Sequence, residues 1–281
     1  MGRAEAPGVH AIAVHHRSGR LEPHASRSHS SHVLGYIVTG ELRLQYGAVT
    51  SATAGCMGVM PAGVPHEALG GRGEWWFAEF CAPCHQLDEM QALMRPFDRV
   101  RRGATPIVPI AASRRRRVVR LFRDLQEECE RREPESLDLA RSLLNLLLGE
   151  ACRAAPRVDP PAPNGLVIDA LQFIQRRALE PISLRDVARA VHRSPAHVAA
   201  VVKDATGHTV GDWIRAARVA EAASLLEHSN ASLDAIAERV GWRDKTHFIR
   251  QFRKVQGQTP AAWRRAHRLG AAGDGTNDHG D

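Results

Sequence analysis

The amino-acid sequence predicts a multidomain α+β protein, with a β-rich region first and an all-helical region last. Three observations predict this order. The first third of the chain contains short apolar runs separated by Gly and Pro, which are typical of a small barrel or sandwich. The middle of the chain has apolar residues at helical spacing. The last third contains one segment twice, which indicates two copies of the same helical unit.

Residues 1–112 form the predicted β-rich domain. Its apolar runs are VLGYIVTG, ELRLQYG, GCMGVMPAG and EWWFAEF. The adjacent Trp75 and Trp76 must point to opposite faces if they lie on a strand. One of the two rings can therefore line the barrel, where a large flat side chain provides an apolar wall for a ligand. The alternative is an ordinary place in the core.

Residues 113–153 change to the helical period, and we expect two amphipathic helices that are broken near Pro134. The second helix carries an apolar stripe of Leu139, Leu143, Leu146 and Leu147. This stripe either forms a dimer surface or packs against the β-rich domain, and the sequence favours neither arrangement. The run Arg114–Arg117 is expected to be a solvated helix start.

The clearest linker covers residues 154–164, where four prolines in eleven residues forbid a helix and favour an extended spacer. We place the domain boundary there. The last residues, 269–281, are polar and rich in Gly, and we expect them to be disordered.

The segment between the linker and the tail, residues 165–268, contains the internal repeat. The pattern S-L-x-x-V-A-x-x-V at 183–191 returns as S-L-x-x-I-A-x-x-V at 232–240. Each copy predicts a short helix, a tight turn and a second helix, which is the layout of a helix-turn-helix. Residues 209–228 lie between the copies and predict a single connecting helix.

The excess positive charge lies in the same segment. The chain has 38 basic and 31 acidic residues, of which 17 basic and 10 acidic residues lie within 165–268. The rest of the chain is balanced. A neutral body that is joined to a basic module indicates that only the module meets a polyanion.

Two helix-turn-helix units on one rigid helix can each place a second helix in the major groove of DNA, since successive grooves lie roughly 34 Å apart. In the second unit, Phe248, Phe252 and Val255 are spaced to pack inward. Arg and Lys side chains near the start of that helix, with Arg250 one turn further on, can donate to guanine. The predicted contacts of this unit are Arg243, Lys245, Thr246 and Arg250 to bases, and Arg253 and Lys254 to phosphate.

The first unit offers alanines where polar reading residues would be expected. Their methyl groups can contact thymine methyl groups. The hydroxyl, imidazole and ammonium groups of the same unit can contact the phosphate backbone of DNA. The predicted contacts of this unit are Ser194, Ala196, His197 and Lys203.

Residues 166–268 closely resemble the DNA-binding domain of the AraC/XylS-type bacterial transcription regulators. The resemblance is carried by I-A-x-x-x-G-W-x-D-x-x-x-F-x-R-x-F-R-K-x-x-G-x-T-P-x-x-W-R at 236–264. It implies binding to double-stranded promoter DNA, with RNA polymerase as a partner and a homodimer as the working form. This chain departs from the family pattern, which has other residues in place of Trp242, His247, Trp263, Ala200 and Val202.

The β-rich domain resembles a cupin barrel. The pattern Gly55-x5-Pro61-x-Gly63-x2-His66 resembles the second cupin motif, and the pair His29-x-x-His32 stands in roughly the place of the first. Cupin enzymes hold a divalent metal with histidines and a Glu.

Two places of that ligand set are occupied here by Arg27 and Val33. We therefore predict no metal, no cofactor and no catalytic residue. Family regulators carry such domains as sensors, so the resemblance implies a pocket for a small-molecule effector. The expected effector-binding residues are His29, His32, His66 and Trp75.

Two other functions remain open. One is a regulator that needs no small molecule and responds to a protein partner or to its own abundance. The other is a metal-dependent cupin enzyme that is fused to a DNA-binding domain.

The location expected for the protein is the cytoplasm. Five cysteines, an odd number in a chain that needs no disulfides, indicate reduced thiols. No apolar run reaches the roughly 18 residues of a membrane span, and the N-terminus has no apolar leader.

Overall fold

The computed structural model describes residues 12–27, 29–46, 48–82, 85, 87, 92–131, 133–156 and 165–268. The strands are β1 (Ala13–Leu21), β2 (His24–Arg27), β3 (His32–Tyr46), β4 (Ala48–Thr53), β5 (Cys56–Met60), β6 (His66–Phe80) and β7 (Ile107–Pro109). The helices of the first half are α1 (Arg95–Arg101), α2 (Ala112–Glu130) and α3 (Ser136–Ala154). The helices of the second half are α4 (Gly165–Arg177), α5 (Leu184–Ala190), α6 (Pro195–Thr206), α7 (Val210–His228), α8 (Leu233–Arg239), α9 (Lys245–Gln256) and α10 (Pro260–Arg268).

The strands form one antiparallel sheet with the order β1-β6-β3-β5-β7, to which β2 adds on β6 and β4 adds on β3. The α+β class is therefore as expected. The described part of the sheet is open, because its path ends at β1 and β7 without a pairing between them. A closed cupin barrel thus stays a prediction from the sequence.

The two adjacent tryptophans of β6 lie in different apolar clusters, as the strand alternation predicts. Trp75 is buried with Ile37 and Leu42 in a small cluster of its own. Trp76 belongs to the main core, where its ring stacks on Phe122 of α2 with centroids 6.1 Å apart.

Helices α2 and α3 are the two amphipathic helices that the sequence predicts, and they flank Pro134. The apolar stripe of α3 is divided between two environments. Leu147 is fully buried, whereas Leu139 and Leu146 are exposed. The stripe therefore packs partly against the core and partly faces outward.

The arginine run at the start of α2 is exposed as expected, apart from the partly buried Arg114, but it also has partners within the protein. Arg114 and Arg117 both bind the carboxylate of Glu150, which is 1% exposed on α3. Arg115 donates from Nε to the carbonyl oxygen of Ile110 at 3.2 Å. These contacts link the start of α2 to α3 and to Ile110. The buried carboxylate of Glu150 requires charged partners.

The C-terminal half is all-helical, with α5–α6 and α8–α9 as the two helix-turn-helix units. The second helix of each unit ends on a glycine, Gly207 or Gly257, with the same left-handed backbone at φ 74° and ψ −10°. The connecting helix α7 begins after Thr209, whose hydroxyl oxygen accepts a hydrogen bond from the backbone N–H of Asp212. The duplication seen in the sequence is thus a duplication of structure.

The first unit shares one hydrophobic core with the sheet, while the second unit has its own. The sheet also contacts α7 directly. The rings of Tyr46 and Trp213 lie 6.3 Å apart. A Cβ at Gly63 would lie 3.2 Å from the Cβ of Ala220, so the loop before β6 requires glycine at this close approach.

The proposed linker is described only up to residue 156, and the tail after 268 lies outside the described residues. The domain boundaries therefore stay predictions. No helix in the described ranges is both long and apolar enough to cross a membrane.

Candidate nucleic-acid interface

Helix α9 starts at a strong N-terminal cap. The carboxylate of Asp244 accepts hydrogen bonds from the backbone N–H groups of Thr246 at 3.0 Å and His247 at 2.8 Å. These bonds hold the pKa of Asp244 below its ordinary value. The cap fixes where α9 begins, and hence where its first side chains point.

The inward face of α9 is formed by Phe248 and Phe252, both fully buried as the sequence predicts. The opposite face is polar. Its exposed residues are Arg243 in the preceding turn, Lys245, Thr246, Arg250, Arg253 and Lys254. The structure thus brings all six predicted contacts of this unit to the solvent side.

Two of these side chains have partners on the same surface. Lys245 donates from Nζ to a carboxylate oxygen of Asp234 on α8 at 2.7 Å. A guanidinium nitrogen of Arg250 lies 3.1 Å from Nδ1 of His247. The imidazole of His247 is half-buried and holds the guanidinium over the surface, a contact that the sequence pattern did not assign.

Helix α6 is the matching helix of the first unit. The hydroxyl oxygen of Ser194 accepts from the backbone N–H of His197 at 3.3 Å, and Pro195 occupies the first turn. Ala196, His197 and Lys203 are exposed, so the predicted contacts of this unit also face solvent. Ser194 has a structural role as well, since it caps the helix.

A cavity of about 250 Å³ lies between the sheet region and the helical region. Residues 30–32 and the loop at 62–64 line it from the sheet side, and α4 and α7 line it from the helical side. Of the four expected effector residues, only His32 lines this cavity. Trp75 lies in its separate cluster.

The other two histidines form a pair beside the loop. The rings of His29 and His66 stack at 4.9 Å, and the carbonyl oxygen of His29 accepts from the N–H of Gly63 at 2.9 Å. Within the described ranges, no three His, Cys, Asp or Glu residues come together as metal ligands.

His32 is a buried titratable group in the cavity wall. It is 4% exposed, and its ring packs edge-on against Phe97 at 4.9 Å. Burial, and secondarily the charge of Arg101, lowers the pKa of His32 to about 3. Its Nδ1 has no hydrogen-bond partner among the described residues. A neutral imidazole therefore presents an unused polar atom at this place.

The far end of the cavity carries a second contact between the two regions. Sγ of Cys81 lies 3.4 Å from Nε2 of His228, at the end of α7. This contact raises the pKa of His228. The neighbouring carboxylate of Glu227 accepts from the indole N–H of Trp263 on α10 at 2.9 Å. A chain of polar contacts thus runs from the sheet region through the end of α7 to α10.

Comparison with known proteins concerns the C-terminal part. Residues 187–266 match the family described as a helix-turn-helix domain. The chain is 33% identical over 109 residues to the transcriptional regulator Rob of Salmonella typhimurium and to the right origin-binding protein of Escherichia coli. Each match covers 39% of this chain and 38% of the relative.

Among solved structures, the C-terminal domain of AraT from Geobacillus stearothermophilus is 27% identical. The superposition covers 42% of this chain and 99% of that domain, with a TM-score of 0.39.

The fold, the two exposed helix faces and the family match define a double helix-turn-helix DNA-binding domain in the C-terminal half. This domain is of the AraC type.

Proposed function

We propose that this protein is a transcriptional regulator that binds promoter DNA through α6 and α9 and responds to a small molecule bound beside α7. The observation that carries the DNA part is the duplication itself. Two second helices with matching C-terminal caps both present a face to solvent, and one 19-residue helix lies between the two units. This arrangement suits two successive major grooves on one side of a duplex.

The DNA proposal is tested by selection of bound duplexes from a random-sequence pool, followed by footprinting with the full chain. We expect protection over about two helical turns per protomer. Protection of a single turn, or of none, would contradict the proposal.

The cavity supports the effector part. Its wall combines apolar side chains such as Ile174 and Trp213 with polar ones such as His32 and Arg101. A small molecule with an apolar body and one polar or anionic group suits this wall. Since the cavity is bounded by both regions, a bound molecule stabilises one arrangement of the sheet against α7 over another.

This part is tested by thermal unfolding with a panel of aliphatic and aromatic carboxylic acids and the matching alcohols. A molecule that binds the folded chain raises the unfolding temperature. We expect at least one compound to do so, and His32→Leu to abolish the shift. His16→Leu is the matched control, because His16 stacks on Trp76 and does not line the cavity. If the compound raises the unfolding temperature of both variants equally, it binds outside this cavity.

The homodimer remains part of the proposal. Leu137, Leu139 and Leu146 of α3 are 39%, 46% and 41% exposed, which leaves apolar surface for a second copy. A Leu139→Glu, Leu146→Glu double variant should sediment as a monomer if α3 forms the dimer. The contact with RNA polymerase is likewise a proposal.

A further inference from the structure

The connecting helix α7 carries one buried cation, Arg218, near its middle. Arg218 is 8% exposed. No carboxylate among the described residues forms an ion pair with it. A buried guanidinium with no ion pair is costly unless its donors are satisfied in another way, and burial lowers the pKa of Arg218.

The donors of Arg218 are satisfied by backbone carbonyl groups from three places. Nε donates to the oxygen of Ala178 at 2.6 Å, and Nη2 donates to the oxygen of Glu180, also at 2.6 Å. Nη1 donates to the oxygen of Gly241 at 3.0 Å. The guanidinium also lies 5.6 Å from the ring centroid of Trp242.

These carbonyl groups belong to segments on both sides of α7. Ala178 and Glu180 lie in the connection from α4 to α5, which leads into the first unit, whereas Gly241 lies in the turn between α8 and α9 of the second unit. The two segments also touch directly. Gly241 has φ +82°, and a Cβ there would lie 2.5 Å from the carbonyl oxygen of Leu179.

The two units otherwise have separate hydrophobic cores. Their relative placement therefore depends on α7 and on this contact between turns. A planar guanidinium holds its donors in a rigid fork, so it fixes the directions of the carbonyl groups that it binds. A flexible ammonium group has no such fork.

We propose that Arg218 is a positioning residue that fixes the relative placement of α6 and α9, and thereby the spacing of the two DNA half-sites that the protein accepts. This inference rests on the proposed DNA-binding function. It predicts that Arg218 determines which separation of the two half-sites is bound, without itself contacting DNA.

The experiment uses the full chain and the duplex obtained by selection from a random-sequence pool. Three duplexes are compared: the selected one, one with a single base pair inserted between the two protected segments, and one that keeps only one segment. For Arg218→Lys we expect a loss of about tenfold or more on the selected duplex. The preference for the selected spacing over the inserted one should disappear, and binding to the single segment should stay unchanged.

The matched control is Arg215→Lys on the same helix, because Arg215 pairs with Asp212 of that helix at 2.8 Å. This variant should keep the spacing preference. Arg218→Lys variants that keep the preference, or that lose affinity equally on all three duplexes, would overturn the inference.

Thermal unfolding shows whether Arg218→Lys is folded. If it is not, Gly241→Ala decides the question in the same assay, because its Cβ would lie 2.5 Å from the oxygen of Leu179 and 3.1 Å from Cζ of Arg218. This variant disturbs the contact between the turns while the guanidinium itself is kept. Loss of spacing preference supports the inference, and its retention overturns it. A wild-type chain that enriches no duplex overturns the proposed function, and the inference with it.

Discussion

Arg250 illustrates what one side chain contributes to the candidate interface. It is exposed one turn into α9, and its guanidinium lies against the imidazole of His247. A guanidinium held in this way is available for two hydrogen bonds to a guanine edge. The sequence placed Arg250 on the solvent side of α9, as the structure does, whereas its contact with His247 required the structure.

We expect Arg250→Ala to weaken binding to the selected duplex by about 1–3 kcal/mol and to leave binding to a random duplex nearly unchanged, because a base contact carries sequence information. Titration of both duplexes by fluorescence anisotropy measures the two losses. Arg253→Ala is the contrasting variant, since a phosphate contact should weaken both complexes alike. Equal losses for Arg250→Ala would mean that Arg250 does not read bases.

At the scale of elements, a single buried carboxylate adds ion pairs to the apolar packing of α2 on α3. Glu150 has Arg114, Arg117 and Arg153 as partners. The hydrogen bond from Arg114 is the main cause that holds the pKa of Glu150 below its ordinary value, against the opposing effect of burial. The sequence did not reveal the ion pairs of Arg114 and Arg117, because their partner lies more than 30 residues further on.

A lowered pKa in the folded state makes stability depend on pH. The contribution of Glu150 is present above the ordinary Glu value of 4.5 and is lost as the pH falls through the lower folded value. We expect Glu150→Gln to lower the free energy of unfolding by about 1–3 kcal/mol near neutral pH.

Urea unfolding of both proteins at neutral and acidic pH measures this effect. The difference between wild type and Glu150→Gln should shrink as the solution is acidified. Asp138→Asn on the same helix is the control, because Asp138 is 81% exposed. A difference that stays constant with pH would show that the ionised carboxylate of Glu150 is not the stabilising group.

At the scale of the whole molecule, the positive charge and the two exposed helix faces coincide. Lys203, Lys245 and Lys254 are the only lysines of the chain, and all three are exposed on α6 and α9. Phosphate contacts by such groups release counterions from DNA.

We therefore expect affinity for the selected duplex to fall about a hundredfold or more between roughly 50 and 200 mM salt. A series of gel shifts at increasing salt measures the slope. Lys254→Gln should make the slope shallower by about one unit of log affinity per log salt. A flat response to salt would contradict phosphate contacts altogether.

The sequence by itself determined the features that repeat or act locally. The two units, the connecting helix, the inward pair Phe248 and Phe252 and the polar face of α9 all follow from spacing within one element, and neighbours in sequence remain neighbours in a helix.

Only the tertiary structure decided the features that join distant segments. The unpartnered nitrogen of His32 in the cavity wall, the placement of Trp75 away from it, and the arginines on Glu150 depend on which segments pack together. The hydrogen bonds of Arg218 are of the same kind, because its carbonyl partners lie 23 to 40 residues away along the chain. Local patterns do not encode such contacts, since burial and partners arise only when the elements have come together.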